Sequence, residues 1–518
     1  MSRGWSSVRG RVLGGVWVGV LTWVITPDLV DEAVGDGLAW EMRLRSLPGR
    51  VGVYFVLGLC LVGESYGEVM RQVTAGLGGA LEAAGWVVPA TTALTRVRER
   101  VGERTLESLF RRLCTALSPS RERWSHAFGL LVVAWDGTTV DVAGSPRNAA
   151  AFGRPAAGGK RRCPGGDAAA GDGGDRPEAA NPQIRLVTLV ACGTRALLDA
   201  AMGPLRGKGT GEQALAGQLT ASLRPGMLLL ADRNFYSYQL MGAVRAAGAH
   251  VLWRVKQNNV RLPVIRPLPD GSWLSRVTDP RAAQARLSKN GKRRRRGSPL
   301  PPDTGPLPSR PVRVIAFFLT VTCDDGTTRT EPYLLVTSLL DWRACPAGDL
   351  AGLYAWRWAI ETSYRECKTY LHGSGRVLKG RTPELARQEL WALLAVYQAI
   401  RTLITAAAAR DGLDPDQISF TAALHAARRT LSTPRHALHA TLEATQTEIL
   451  TCLVPRRPGR TRVRAIARPG SPYKSLSNCQ DPIAHHATYT FTITPAAHRT
   501  TTPSHQPEHP PPQPASPP

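Results

Sequence analysis

The spacing of hydrophobic positions in the first 125 residues predicts helices. Residues 96–117 place apolar side chains three or four positions apart, as in a helix with one buried face. The apolar run 51–62 has the length of a buried core helix. The run 12–25 also predicts a helix rather than a signal peptide, because glycines interrupt it and no small-residue cleavage site follows. We therefore expect a helical N-terminal domain over 1–125.

From residue 126 onward, short apolar runs alternate with helical segments. The run "LLVVAW" predicts a buried strand that stops at Asp136-Gly137 and then resumes, and "GMLLLA" predicts a second buried strand. A helix is expected at 238–248. The Gly-, Asp- and Arg-rich segment 159–182 has no apolar period and predicts a flexible loop. The alternation predicts a mixed α/β fold over 126–256.

The alternation of strand-like and helical segments is absent from residues 257–331, which predict a mostly β insertion. Turn sequences divide it into strand-like runs, and the charge run 289–299 predicts a basic loop. The α/β pattern returns over 332–450, where a helix is expected at 381–412, opened by a Thr-Pro pair. The final segment, 451–518, is basic and then Pro-, Thr- and His-rich, so we expect it to be disordered.

The net charge of the chain indicates the class of its binding partner. The chain has 65 Lys and Arg against 40 Asp and Glu, a net charge of +25, which suggests a polyanionic partner such as nucleic acid. The arginines of 96–117 fit either a solvated helix face or a surface for DNA phosphates. The nine cysteines form no CxxC pair, which favours a cytosolic chain over a disulfide framework or a zinc ribbon.

Two aspartates have the same local setting. Asp136 and Asp232 each follow an apolar run that predicts a buried strand, where an unpaired carboxylate is costly. If the two strands are neighbours, the carboxylates meet at one edge of a sheet and can bind hard cations such as Mg²⁺. Alternatively, each Asp caps a turn, which is the simpler interpretation of Asp136-Gly137 taken alone. The pair together favours a functional site.

The helix predicted at "YAWRWAIETSYRECK" (354–368) carries a polar face. At 100° per residue, four side chains fall within a wedge of about 60°: Tyr354, Arg357, Glu361 and Lys368. Arg365 flanks this wedge, whereas Glu366 lies off it and is expected to be an ordinary helix residue. Alternatively, Arg357 and Glu361 form a solvated ion pair four residues apart, worth tenths of a kcal/mol.

Taken together, Asp136, Asp232 and Glu361 resemble the D-D-E triad of transposases with a ribonuclease-H-like core, specifically those of the IS4 family. The family's Tyr-x2-Arg-x3-Glu-x6-Lys signature is matched in full. The first-Asp block matches in "WDGTTVDVAGSPRNAAAFGRP" and the second in "ADRNFYSY", with Asn234 where Gly is commoner. The resemblance covers about 15–475. It implies a ribonuclease-H-like mixed sheet with flanking helices, preceded by a helical domain and interrupted by the β insertion.

The resemblance also implies a metal-dependent site. Asp136, Asp232 and Glu361 are expected to hold two Mg²⁺ (or Mn²⁺) ions that position the reacting oxygens of a phosphodiester. The remaining candidates are expected to contact DNA. Those on the helix and beside the second Asp would hold phosphates or a terminal base, and two aromatic residues would hold a flipped base: Tyr354, Arg357, Lys368, Arg365 and Arg233, then Trp253 and Tyr333.

The implied activity is transposition of an insertion sequence. A homodimer is expected to bind terminal inverted repeats, cut the DNA through a hairpin and join the freed 3′ ends to target DNA. A resemblance of this kind implies a bacterial enzyme that is cytoplasmic and nucleoid-associated. Two alternatives are a nuclease or resolvase without strand transfer, and a catalytically silent transposase-derived DNA-binding protein or repressor. The intact carboxylates and the complete helix face favour the transposase.

Overall fold

A computed structural model describes residues 12–13, 15–37, 47–83, 85–116, 124–155, 181–207, 209–256, 260, 262–295, 305–323, 328–454 and 487–496. Most of the loop predicted at 159–182 and most of the predicted tail lie outside these residues. The chain divides into two compact units. Unit 1 contains Met1–Arg254 and Leu353–Ile483, and unit 2 contains Val255–Gly352 and Ala484–Pro518.

The described helices are α1 (Pro27–Gly37), α2 (Gly49–Val62), α3 (Tyr66–Ala75), α4 (Gly79–Ala83), α5 (Thr91–Ala116), α6 (Pro146–Phe152), α7 (Glu212–Leu219), α8 (Tyr238–Ala246), α9 (Pro280–Arg295), α10 (Ala347–Leu353), α11 (Trp358–Arg365), α12 (Pro383–Arg410), α13 (Phe420–Arg429) and α14 (Leu438–Leu450). The strands are β1 (His126–Ala127), β2 (Leu130–Asp141), β3 (Gln183–Ala191), β4 (Leu197–Pro204), β5 (Met227–Ala231), β6 (His250–Arg254), β7 (Arg266–Pro267), β8 (Trp273–Thr278), β9 (Ser309–Cys323), β10 (Thr328–Thr337) and β11 (Ala487–Ile493). Short 3₁₀ helices include Gly19–Trp23, Tyr354–Arg357 and Pro415–Gln417, and Glu366–Leu371 is a π-helix.

The N-terminal part of unit 1 is helical, as the apolar spacing predicts. Helix α2 is almost wholly buried, which confirms the predicted core helix at 51–62. The prediction of one helix over 12–25 is wrong: among the described residues, 12–13 are helical, 16–18 are not, and Gly19–Trp23 forms a short 3₁₀ helix. Gly19 has a φ of 59°, and the next amide, Val20 N–H, donates to the Thr430 hydroxyl over 2.8 Å instead of continuing a helix.

The arginines of α5 are largely engaged within the protein. Arg98 is only 1% exposed, and its guanidinium lies 3.3 Å from the Glu389 carboxylate. Arg111, further along the helix, pairs with Asp199 at 3.0 Å. Arg98 therefore belongs to the core and contributes nothing to a basic DNA-facing surface, which corrects that interpretation for this residue.

Unit 1 also contains a mixed sheet with strand order β4-β3-β2-β5-β6. Strand β2 pairs antiparallel with β3 and parallel with β5, and β5 pairs parallel with β6. The strand expected to stop at Asp136-Gly137 instead continues to Asp141, because β3 pairs with it through Asp141↔Gln183. Pairing with β3 therefore extends β2 well beyond the end of β5.

Helix α12 is the central helix of unit 1. It begins where the Thr-Pro signal predicts, with the Thr382 hydroxyl accepting a hydrogen bond from Leu385 N–H at 3.3 Å. Its length and apolar composition are sufficient to cross a membrane, but 78% of its most apolar window is buried within the protein. It packs against α5 and α2, which is the environment of a core helix.

Unit 2 is an antiparallel sheet with one long helix. Strands β10, β9, β8 and β7 follow one another in that order, and β11 pairs with β9 beyond the end of β8. A basic loop is predicted at 289–299, but residues 289–295 belong to helix α9. Strand β11 lies in the segment predicted to be disordered, and its seven residues correct that prediction. Phe491 packs edge-on against Phe317 at 5.9 Å between ring centroids, so β11 contributes an aromatic contact that composition alone does not indicate.

We predict that Phe491→Ala loosens the sheet of unit 2. The substitution removes the contact with Phe317, and a partly buried aromatic of this kind contributes about 1–2 kcal/mol. Amide hydrogen exchange along β9 should become faster. The control is Thr490→Ala, because Thr490 lies on the same strand but is exposed. Equal protection of β9 in wild type and Phe491→Ala would show that the Phe491 ring does not stabilise the pairing with β9.

Candidate active site

Strand pairing brings the two aspartates to the same level of the sheet. The parallel register of β2 and β5 runs from Leu131↔Met227 to Ala134↔Leu230, and the same offset places Asp136 level with Asp232. Asp232 is the first residue after β5. Neighbouring strands lie about 4.8 Å apart, so the predicted meeting of these carboxylates at one edge has a structural basis.

Each aspartate also accepts a hydrogen bond from the amide that follows it. Gly137 N–H donates to Asp136 Oδ1 over 2.8 Å, and Arg233 N–H donates to Asp232 Oδ1 over 2.6 Å. In both residues one carboxylate oxygen is therefore oriented by the backbone. These local bonds also satisfy the turn interpretation of the sequence, but they leave the second oxygen of each carboxylate for other partners.

The segment that carries Glu361 changes its winding twice. Tyr354–Arg357 is a 3₁₀ helix, α11 is an α-helix, and Glu366–Leu371 is a π-helix. A uniform turn of 100° per residue therefore describes only the middle of the segment. π-helical turns are often found at functional sites, where they shift the side chains that follow.

Arg357 connects the sheet to this helical segment. Its Nη1 lies 3.3 Å from Asp136 Oδ2, and its Nη2 lies 3.3 Å from Glu361 Oε1. Burial lowers the pKa of Arg357, but Tyr354 and the surrounding carboxylates raise it, and the net shift is upward. The guanidinium therefore remains a cation between the first aspartate and the glutamate.

The protonation of Asp136 is strongly affected by its surroundings. The pKa of Asp136 is raised to about 6, mainly by burial and to a smaller extent by the charges of Glu361 and Asp232, while Arg357 and the Gly137 amide oppose the increase. An acid whose pKa is raised by burial and by nearby acids favours a partner of high positive charge.

Tyr354 and Lys368 hold the helical segment against the strands. The buried Tyr354 hydroxyl donates to the Ala231 carbonyl over 3.1 Å, one residue before Asp232. Lys368 Nζ donates to Thr138 Oγ1 over 3.2 Å and to the Thr139 carbonyl over 2.7 Å. Burial lowers the pKa of Lys368. Both residues therefore contact β2 or the end of β5, beside the two aspartates.

The remaining candidates differ in exposure. Arg233 and Arg365 are exposed. Trp253 is 0% exposed and packs against Trp135 at 6.0 Å between ring centroids, so it is a core residue and the interpretation as a base-holding aromatic is corrected. Tyr333 belongs to unit 2, where it is buried and stacks on Phe317 at 5.2 Å. Neither aromatic ring presents a free face to a flipped base here.

Sequence reasoning missed two residues of this region. Tyr364 donates to the Asp136 carbonyl over 2.5 Å and accepts from Thr188 Oγ1 over 3.0 Å. Its position three residues after Glu361 was a usable signal, because such residues share a helix face. Glu366, expected to be an ordinary helix residue, is 3% exposed and bound by two arginines.

The acidic residues fit a divalent metal in kind and in charge. Asp136, Asp232 and Glu361 offer the oxygen donors that Mg²⁺ and Mn²⁺ prefer, and a cationic guanidinium already lies between two of them. Across the described part of the chain, no three acidic, His or Cys side chains are close enough to hold a metal together.

A mixed sheet with aspartates on neighbouring strands and a glutamate from a flanking helix defines the ribonuclease-H-like class of nucleic-acid enzymes. Residues 16–111 match the family model "Insertion element 4 transposase N-terminal". Residues 127–399, more than half of the chain, match the family model "Transposase DDE domain". The chain belongs to the IS4 family of DDE transposases, which are divalent-metal-dependent enzymes that cleave DNA and transfer its strands.

Two relatives from Escherichia coli and one solved structure are similar to this chain. Transposase InsG for insertion sequence element IS4, from Escherichia coli (strain K12), is 27% identical over 412 residues, 79% of this chain and 82% of the relative. The putative transposase InsZ from the same organism is 27% identical over 41% of this chain and 62% of its own. A cryo-EM structure of a piggyBac transposase synaptic complex with hairpin DNA is similar with a TM-score of 0.39 and 12% identity, covering 85% of this chain and 86% of that one.

We predict that Asp136→Asn stabilises the metal-free protein at neutral pH but not at acidic pH. The pKa of Asp136 rises from 3.8 to about 6 on folding, so the folded state holds the proton more tightly. The protonated Asp136 carboxyl therefore stabilises the folded state at low pH, and this stabilisation is lost as the pH rises through about 6. Asparagine does not ionise, so the variant keeps its stability over this pH range.

The free energy of unfolding of the variant should therefore exceed that of wild type by about 2 kcal/mol at about pH 7, and by little at about pH 4. Chemical denaturation in the presence of a chelator measures both values. A difference that is constant over this pH range contradicts the raised pKa.

Proposed function

We propose that Asp136, Asp232 and Glu361 are the catalytic carboxylates of this transposase and that together they hold two Mg²⁺ (or Mn²⁺) ions. The observation that carries the proposal is the connection through Arg357, which lies 3.3 Å from an oxygen of both Asp136 and Glu361. The parallel register supports the same assignment for Asp232. The three carboxylates and the exposed Arg233 and Arg365 are thus assigned to one site on unit 1.

The residues of the site divide the work of phosphodiester cleavage. Divalent ions, when bound, supply an activated nucleophile and stabilise the charge of the leaving oxygen. The carboxylates would hold those ions. Arg357 holds Asp136 and Glu361 together in the metal-free protein, and its guanidinium would bind a DNA phosphate when the ions occupy those carboxylates. Lys368 anchors the helical segment to β2 through Thr138 and Thr139, and its charge is proposed to attract a DNA phosphate as well.

The DNA is proposed to approach over the exposed arginines. Arg233 directly follows Asp232, and Arg365 lies one turn beyond Glu361, so both present positive charge beside the acidic site. Sequence-independent attraction of this kind places the phosphate backbone, while the terminal inverted repeats supply the specificity. We propose that a homodimer synapses two transposon ends, cuts through a hairpin and acts in the bacterial cytoplasm on the nucleoid.

We predict that Glu361→Gln abolishes DNA cleavage while leaving DNA binding intact. Glutamine keeps the size of the side chain but removes the charge that a metal ligand needs, so the cleavage rate should fall at least ~100-fold. The assay uses DNA carrying paired transposon ends, with Mg²⁺ and then with Mn²⁺. Binding to the same DNA is measured in a chelator.

The matched control is Glu443→Gln, which removes an exposed carboxylate whose side chain is 65% accessible in α14. It should cleave within about twofold of wild type, as expected for a surface substitution. Cleavage by Glu361→Gln at the wild-type rate would falsify the catalytic assignment. Equal binding without cleavage by wild type and Glu361→Gln would favour the silent DNA-binding alternative.

A further inference from the structure

A buried ionic cluster lies behind the helix that carries Glu361. We call it the rear cluster and define it by five residues: Glu366, Arg195, Tyr397, Arg401 and Asp416. At its centre is Glu366, the first residue of the π-helix, whose side chain is almost fully buried. The proposed chemistry of the site uses none of these residues, so the cluster needs an explanation of its own.

Both oxygens of Glu366 are occupied by charged or hydroxyl donors. Arg401 donates through Nη2 to Oε1 and Oε2 at 2.8 Å and through Nε to Oε2 at 3.1 Å. Arg195 Nη1 donates to Oε1 over 2.6 Å, and the Tyr397 hydroxyl lies 3.1 Å from Oε2. Charge-assisted bonds of this number fix the position of a carboxylate more tightly than a single ion pair does.

The residues that surround Glu366 in the rear cluster come from three different parts of unit 1. Arg401 and Tyr397 project from the buried helix α12. Arg195 lies in the turn between β3 and β4 with a φ of 55°, which is unusual for a residue other than glycine, and its Nη2 is 2.7 Å from Asp416. Asp416 belongs to the 3₁₀ helix Pro415–Gln417. Glu366 therefore ties the catalytic helix to the central helix and to a turn of the sheet.

Stability alone is a weak reason for this arrangement. Replacing a buried ion pair by apolar residues of the same volume is often neutral or stabilising, because the desolvation cost offsets the attraction. Arg401 has no exposed side-chain surface, so it carries the full desolvation cost. A buried ionic network does, however, admit fewer arrangements than an apolar contact, and so selects one position of the elements that it joins.

The position of Glu366 relative to Glu361 makes that selection relevant to the site. Glu366 is five positions after Glu361, which is a rotation of about 140° at 100° per residue. The two side chains therefore lie on nearly opposite sides of the helix. Arg357 and Tyr364 attach the front of the helix to Asp136. Glu366 attaches the rear, and the winding changes to π at this residue.

We propose that Glu366, held by Arg195 and Arg401, is a positioning residue that sets where Glu361 stands relative to Asp136. The proposal rests on the proposed catalytic role of Glu361. Loss of the rear attachment lets α11 shift on the sheet, and shifts of well under an ångström are enough to weaken a metal site. Outer residues that orient ligands typically contribute 10- to 100-fold in metal affinity or activity.

The test compares Glu366→Gln with a control that breaks a similar buried ion pair elsewhere. Glu389→Gln is the control, because Glu389 pairs with Arg98 at 3.3 Å and accepts the Lys379 and Gly380 amides at 3.1 Å, outside α11. Three quantities are measured for each variant: the unfolding temperature, the metal concentration for half-maximal cleavage, and hydrogen exchange of the α11 amides in the metal-free protein.

Both variants should lower the unfolding temperature. Only Glu366→Gln should raise the half-maximal metal concentration, by about 10-fold or more, and speed exchange in α11, with the KM for DNA unchanged. If Glu366→Gln does not fold, Tyr397→Phe removes one partner of the same carboxylate at almost constant volume, and a smaller shift in the same direction is expected.

The proposal is overturned if Glu366→Gln, or Tyr397→Phe in its place, shows wild-type metal dependence and wild-type α11 exchange. It is also overturned if Glu389→Gln gives the same metal shift, because a general loss of stability would then explain the effect. Failure of the proposed function has a different signature, since Glu361→Gln would then cleave DNA as wild type does.

Discussion

The site depends on one buried guanidinium that joins the sheet to the helix. Arg357 lies 3.3 Å from an oxygen of Asp136 on β2 and from an oxygen of Glu361 on its own helix. Carboxylates brought together in a partly buried location repel one another and favour protonation. Because Arg357 supplies positive charge between them, the helical segment that carries Glu361 can pack against the acidic edge of the sheet. The same guanidinium offsets the repulsion between Asp136 and Glu361.

The parts of the site that depend on local patterns could be predicted from the sequence. Asp136 and Asp232 follow apolar runs, and an apolar run followed by a carboxylate indicates a strand with functional chemistry at its end. Helical phase placed Glu361 and Glu366 on different sides of the helix, and the two residues do contact different partners, Arg357 for Glu361 and Arg401 for Glu366. These signals are local, so they can be recognised without knowing which strands pair. The ribonuclease-H-like fold followed from the family motifs rather than from the periodicity.

The parts that depend on distant partners could not be predicted. Glu366 looks like a solvated helix residue until Arg195 and Arg401 are known to meet it, and Arg195 is 171 positions away. Strand β2 continues past Asp136 because β3 pairs with it, which the turn-like Asp-Gly sequence does not reveal. Strand β11 belongs to a compositionally disordered segment and is ordered by pairing with β9. In each case tertiary contacts override the local signal.

We propose that Asp136, Asp232 and Glu361 bind metal together in place of the Arg357 bridge. A crystal structure of the protein with transposon-end DNA and Mn²⁺, using the anomalous signal of manganese, locates the metal ligands. We expect manganese bound by oxygens of all three carboxylates, with Arg357 moved from Asp136 and Glu361 toward a DNA phosphate. Manganese bound away from Glu361, with the Arg357 bridge intact, would contradict it.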